Sequence, residues 1–158
     1  MHIHFVCRGN AYRSRLAEAY LRSKQLQSVM VSSSGIEAAG HAHTVNGPIT
    51  WVAQRILQRN GLVPFMSFHP TQTTHELLKS ADLVIFMEEA HEMFAREQLG
   101  YTGKRFQVWH ISDIVPGELD VPPDALDAAI IRVSEATFTQ IKKNIDILIV
   151  TLPTLQLD

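Results

Sequence analysis

The sequence predicts an α/β fold built on a parallel sheet. Short apolar, β-branched runs alternate with helix-patterned segments along the whole chain, and that alternation places parallel strands between crossover helices. One of these runs, "DLVIFM" at 82–87, is continuously apolar, as a strand covered on both faces requires.

The elements follow in order. His2 to Val6 form a first strand. From Ser14 to Leu26, residues Leu16, Ala17, Ala19, Tyr20 and Leu21 share one face with charges between them, which predicts a helix. "SVMVSS", β-branched at Val29 and Val31, is a second strand, broken by Ser34-Gly35. The turn-rich "GIEAAGHAHTVNGP" reads as a surface loop. Pro48 opens a helix through Ile49, Val52, Ile56 and Leu57 that stops at Asn60-Gly61. Thr74 caps a short helix through Leu77 and Leu78, "DLVIFM" is the third strand, and Glu89 to Leu99 form a helix stopped by Gly100. "RFQVWHI" is a fourth strand. After the loop "SDIVPGELDVPPD", Pro122 and Pro123 suit the first turn of a last helix through Ile130, Val133, Phe138, Ile141 and Ile145.

A chain of 158 residues suits a single domain, 1–158. With 46% hydrophobic and 19% charged residues it has an ordinary globular composition. A net charge of −2 gives no footprint for nucleic acid or an anionic membrane. No apolar run approaches the ~20 residues of a membrane span, and the longest, "IDILIVTLPTL", carries Asp146. The N-terminus lacks the pattern of a signal peptide. A single cysteine, Cys7, excludes an intramolecular disulfide and suits a reducing, cytoplasmic compartment.

Cys7 stands at the carboxyl end of the first strand, where ligands bind in parallel sheets. Alone it would read as a small core hydrophobe. The loop that follows, Arg8-Gly9-Asn10-Ala11-Tyr12, changes the reading. Gly9 and Asn10 tolerate unusual backbone angles, so the loop can turn several N–H groups onto one point at a helix N-terminus. That is a site for a phosphate or similar oxyanion, and its field favours the thiolate form of Cys7. Arg13 adds a planar, permanently charged fork for two anion oxygens, and the Ser14 hydroxyl can hydrogen-bond the sulfur. A nucleophile at the base of an oxyanion cradle is what attack on a bound phosphoryl group needs.

The segment "FVCRGNAYRSRLAEA" resembles the signature of the low-molecular-weight protein tyrosine phosphatases, which runs Cys, five residues, Arg, Ser or Thr. The resemblance extends to "SSSGI", with Ser33 and Gly35 in register with the family's Ser-Ala-Gly-Thr, and to "ADLVIFMEEAH", with Glu88 where Asp is usual. It implies a three-layer αβα sandwich with a central four-stranded parallel sheet and the phosphate loop between strand 1 and helix 1. It implies that Cys7 forms a cysteinyl-phosphate and that Arg13 clamps the equatorial oxygens. Arg8, Gly9, Asn10, Ala11, Tyr12, Arg13 and Ser14 would be the phosphate-binding loop, with Asn10 and Ser14 holding its shape. An Asp would act as general acid and then as base.

The sequence departs from the family at several points. Tyr12 stands where a second cysteine is frequent, so Cys7 has no protecting partner, and Arg8 replaces a small or apolar residue. The family's acid lies in an Asp-Pro pair, and this chain has none. "WHISDIVPG" points to Asp113, with Ile114 replacing proline; "LDVPPD" points to Asp120 or Asp124. Asp113 is favoured because it is nearest the strand end.

The implied function is phosphomonoester hydrolysis, with a phosphotyrosine protein or small aryl phosphate as partner. The alternatives are a non-hydrolytic oxyanion-binding module and an arsenate reductase-like enzyme; the thioredoxin-linked form of the latter needs further cysteines. Phosphoarginine is also open as substrate. "HIH" puts His2 and His4 on one face of a strand and "HAH" puts His41 and His43 in a loop, neither with a clear third ligand, so no metal and no cofactor is predicted. Trp51 and Trp109 are expected in the core or half-buried.

Overall fold

The structure, a computed structural model, describes residues 1–41 and 49–155. Four parallel strands, β1 His2–Cys7, β2 Met30–Gly35, β3 Leu83–Phe86 and β4 Phe106–Val108, form one sheet in the order β2-β1-β3-β4. The interior strands β1 and β3 are buried along their whole length, as the continuous apolar run of β3 demands.

The helices are α1 Arg13–Ser23, α2 Ala38–His41, α3 Trp51–Arg59, α4 His75–Ser80, α5 Glu89–Leu99 and α6 Leu126–Leu155. Alternation along β1 divides the core. Ile3, Phe5 and Cys7 face a cluster with Leu16 and Leu21 of α1, Val52 and Ile56 of α3, and Phe138, Ile141 and Ile145 of α6. Val6 faces the other side, with Leu78 of α4, Ala95 of α5 and Tyr101. The result is the expected three-layer αβα sandwich. No helix among the described residues is long and apolar enough to cross a membrane.

Several boundaries differ from the sequence reading, each for a visible reason. β1 extends to Cys7, and β2 continues through Ser34 and Gly35 instead of breaking there. Gly35 N–H donates to Thr71 O and its carbonyl accepts from Thr73 N–H, both at 2.9 Å, so distant residues complete the ladder. α1 ends at Ser23, and Gln25 at φ 48° turns the chain away. The expected loop after β2 holds one helical turn, α2. β4 keeps only three residues, because His110 at φ 52° ends extension and starts the loop toward Asp113. Pro123–Ala125 form a 3-10 turn before α6 rather than its first turn. Pro48 and His43 lie outside the described residues; α3 starts at Trp51, capped by Thr50. Thr74 caps α4 and Gly100 closes α5 in the left-handed conformation, as predicted. Trp109 is buried as expected, but Trp51, at the first position of α3, is 40% exposed.

Candidate active site

β1 ends at Cys7, and residues 8–12 return the chain to the start of α1. Cys7 is buried, with Sγ 3.0 Å from Ser14 Oγ. The direction of that bond follows from its surroundings. Thr71 N–H donates to Asn10 Oδ1 at 2.8 Å, which fixes how the Asn10 amide is oriented. Asn10 Nδ2 then donates to both Ser14 Oγ and Ser33 Oγ at 2.9 Å. Ser33 Oγ spends its own proton on Glu18 Oε2 at 2.6 Å, because an ionised carboxylate only accepts. Ser14 therefore accepts from Asn10, and its proton is left to point at the sulfur.

The loop is pressed onto the end of β2. Asn10 sits at φ 51°, a left-handed conformation that asparagine tolerates. A Cβ on Gly35 would lie 2.5 Å from Asn10 N and 2.6 Å from Arg8 O, so only glycine lets strand and loop approach this closely. Ile36 N–H and Glu37 N–H donate to the carbonyls of Cys7 and Arg8 at 3.0 and 2.9 Å. At the rim, Arg8 Nε pairs with Glu37 Oε2 at 2.7 Å.

Glu18 is fully buried behind the loop. It accepts from Ser33, from Ser67 Oγ and from Arg22 Nη2, the last at 2.8 Å. Arg15, equally buried, donates to the Ser67 and Asn10 carbonyls; burial lowers its pKa against the pull of Glu18. Two arginines thus answer one buried carboxylate, which would otherwise be costly.

Arg13 is 1% exposed. Its Nη1 donates to Glu88 Oε2 at 2.5 Å and to Ile111 O at 2.7 Å, and its Nη2 lies 2.8 Å from Asp113 Oδ2. Burial works against its charge, but Asp113, Cys7 and Glu88 outweigh burial and raise its pKa. Glu88 is held in turn by a capping box: its N–H donates to His91 Nδ1 at 3.1 Å and its side chain accepts from the His91 N–H. Burial, then Arg13, brings His91 down to about 4, so the ring is neutral. Burial pushes Tyr12, at the N-cap of α1, up to about 12.

Of the three candidate acids, the structure brings Asp113 to Arg13. Among the described residues neither Asp120 nor Asp124 makes a hydrogen bond or ion pair to the site; both lie farther along the chain, at the loop and the 3-10 turn before α6. Sequence reasoning missed Glu18, Ser67, Thr71 and the Ile111 carbonyl. Glu18 had no local signal, being one of the charges that separate the apolar positions of α1.

This geometry has relatives. Residues 2–154 match the family described as low molecular weight phosphotyrosine protein phosphatase. The chain belongs to that family. The chain is therefore a phosphatase of a family that works through a cysteine nucleophile. It is 31% identical over 110 residues to a protein-arginine-phosphatase of Bacillus subtilis (strain 168), covering 67% of this chain and 69% of that protein. Among solved structures it is similar to the YwlE arginine phosphatase from Geobacillus stearothermophilus, at 26% identity and a TM-score of 0.74, covering 99% of this chain and 95% of the other. It is also similar to a low molecular weight protein tyrosine phosphatase from Bacillus subtilis, at 25% identity and a TM-score of 0.72, covering 98% of each chain.

Proposed function

We propose that this phosphatase removes phosphate from phosphotyrosine in proteins, with Cys7 as nucleophile, Arg13 as oxyanion clamp and Asp113 as general acid. The observation that supports the assignment is the convergence of a sulfur facing a hydroxyl donor, a buried arginine and a half-exposed carboxylate at one strand end. The Cys7 thiolate attacks phosphorus while residues 8–14 and Arg13 hold the phosphoryl oxygens. The bond from phosphorus to the phenolic oxygen breaks, and protonated Asp113 gives its proton to that oxygen. In the second step the Asp113 carboxylate takes a proton from water, water oxygen joins phosphorus, and the P–S bond returns its electrons to the sulfur. One unpaired thiol suits a cytoplasmic site of action.

Arginine phosphatase activity is the second reading, and the identity to a protein-arginine-phosphatase favours it. There the bond that breaks is P–N, and the acid serves a guanidino nitrogen. Paired assays on a phosphotyrosine peptide and an arginine-phosphorylated protein separate the two readings. Whichever substrate is preferred by kcat/KM, Cys7→Ser abolishes turnover while keeping oxyanion binding; ordinary turnover in that variant rules out the covalent route. Asp113→Asn slows hydrolysis of phosphotyrosine about a hundredfold to ten-thousandfold, and a highly activated aryl phosphate far less. Asp120→Asn or Asp124→Asn showing that leaving-group pattern instead would move the acid there.

A further inference from the structure

Asp113 makes two contacts that an acid waiting for substrate does not require. Oδ2 lies 2.8 Å from Arg13 Nη2, and Oδ1 accepts the Ile114 N–H at 3.0 Å. The second contact exists because residue 114 is isoleucine; a proline has no N–H to give. Nη1 of Arg13 is already committed to Glu88 and the Ile111 carbonyl. Nε and Nη2 are therefore the nitrogens left for phosphoryl oxygens, and the carboxylate is docked on one of the two. Carboxylate and phosphoryl oxygens seek the same charge-assisted donor, so they compete.

The surroundings let the carboxylate leave. Asp113 is 40% exposed, whereas Arg13 is buried and fixed. The chain is anchored two residues earlier, where Ile111 N–H donates to Met87 O at 2.7 Å and Ile111 O accepts from Arg13. Arg8, the other cation that acts on Asp113, is tied to Glu37. Arg13 is thus its only ion-pair partner among the described residues.

We propose that Asp113, held by the Ile114 amide, is a self-blocking carboxylate: it occupies Arg13 in the free enzyme and an incoming phosphoryl group displaces it. The displaced carboxylate takes up a proton from solvent and stands beside the leaving oxygen, a final step that rests on the reading of Asp113 as general acid. Ile114 is a positioning residue, acting through Asp113 by its backbone and not by its side chain. The consequence is a weakened hold on oxyanions in the ground state.

The test is the competitive inhibition constant of inorganic phosphate, confirmed by calorimetric titration of phosphate in a Cys7→Ser background. Asp113→Asn removes the competing charge, and phosphate binds about tenfold tighter or more. Ile114→Pro keeps every charge, removes the donor and fixes φ at 114, and phosphate binds roughly threefold to tenfold tighter. Ile114→Ala keeps the N–H and behaves as the unaltered protein. Unchanged phosphate affinity in Asp113→Asn or in Ile114→Pro overturns the proposal, and so does Ile114→Ala matching Ile114→Pro. Asp113→Asn separates the two ideas. Tighter phosphate without a leaving-group effect sinks the acid assignment alone; a leaving-group effect without tighter phosphate sinks the self-block alone.

Discussion

On one face of β2, Ser33 joins Glu18 and Asn10, and through Asn10 and Ser14 the bonds reach Cys7. On the other face, Ser32 lies 2.6 Å from both His2 Nε2 and His4 Nδ1, and Ser34 lies 2.7 Å from His4 Nε2 and from Thr73 Oγ1. Alternate serines of one strand therefore serve two buried networks. The first ends on a carboxylate backed by arginines, which locks the direction of every bond. The second ends on a backbone carbonyl. The Ser80 carbonyl accepts from His2 Nδ1 at 3.2 Å, so Nδ1 carries the His2 proton and Nε2 accepts from Ser32. Ser32 must then accept from His4 Nδ1, and His4 Nε2 accepts from Ser34, which accepts from Thr73. A fixed charge sets the direction of one polar chain; a backbone carbonyl sets the direction of the other.

The comparison can be broken most severely at the glycine that lets β2 touch the loop. Gly35→Ala forces a methyl group against the backbone of Arg8 and Asn10. Turnover should fall about a hundredfold or more, since displacing reacting groups by about an ångström costs that much. Wild-type kcat/KM in this variant would show that the loop is not seated on β2. Asn10→Ala should have a smaller effect, roughly tenfold to a hundredfold on kcat/KM. It frees Ser14 to turn away from the sulfur, so alkylation of Cys7 by iodoacetate should slow in parallel; a fast, unchanged alkylation rate would contradict the direction assigned to the Ser14 bond.

The smallest effect on activity belongs to the other network. In His4→Leu, Ser32 keeps His2 and Ser34 keeps Thr73, so turnover near neutral pH should stay within about twofold, as for substitutions away from the chemistry. Its signature is acid stability. Burial, then His2, lowers His4 to about 4 from an ordinary 6.5. The unfolded chain gains its proton first, so the stability that neutral His4 permits is complete above about 6.5 and is lost as pH falls toward about 4. His91 behaves the same way. Each should contribute a slope of up to about 1.4 kcal/mol per pH unit across that window. Urea unfolding from pH 7.5 to 4.5 should show that slope reduced by about half in His4→Leu; an unchanged slope would mean that His4 takes up its proton without unfolding.

The strand, loop and helix around Cys7 were readable because the pattern is local: an apolar run, two residues tolerant of unusual angles, then a helical face. What distant chain completes was not. Ser34-Gly35 looks like a break until Thr71 and Thr73 supply its hydrogen bonds. Glu18 looks like a solvated helix charge until Arg22, Ser33 and Ser67 close on it. His2 and His4 were placed on one face, but their serine partners lie across a strand pair whose register the sequence does not state. Asp113 was found through resemblance, while the donor that Ile114 brings to it depends on a loop conformation that no periodicity encodes.

The clamp on Arg13 also has a consequence for how the chain folds. Its partners Glu88 and Ile111 lie 75 and 98 residues away in sequence. Contacts at such separations form only after long loops have closed, and topologies rich in them fold slowly. An oxyanion that engages Arg13 binds the finished fold and not the open chain, so it draws the folding equilibrium toward the native side. At a phosphate concentration of 100 Kd the gain is about 2.7 kcal/mol. With the loop as the proposed oxyanion site, the melting temperature should be higher in phosphate buffer than in a buffer without oxyanions, and the difference should grow with phosphate concentration.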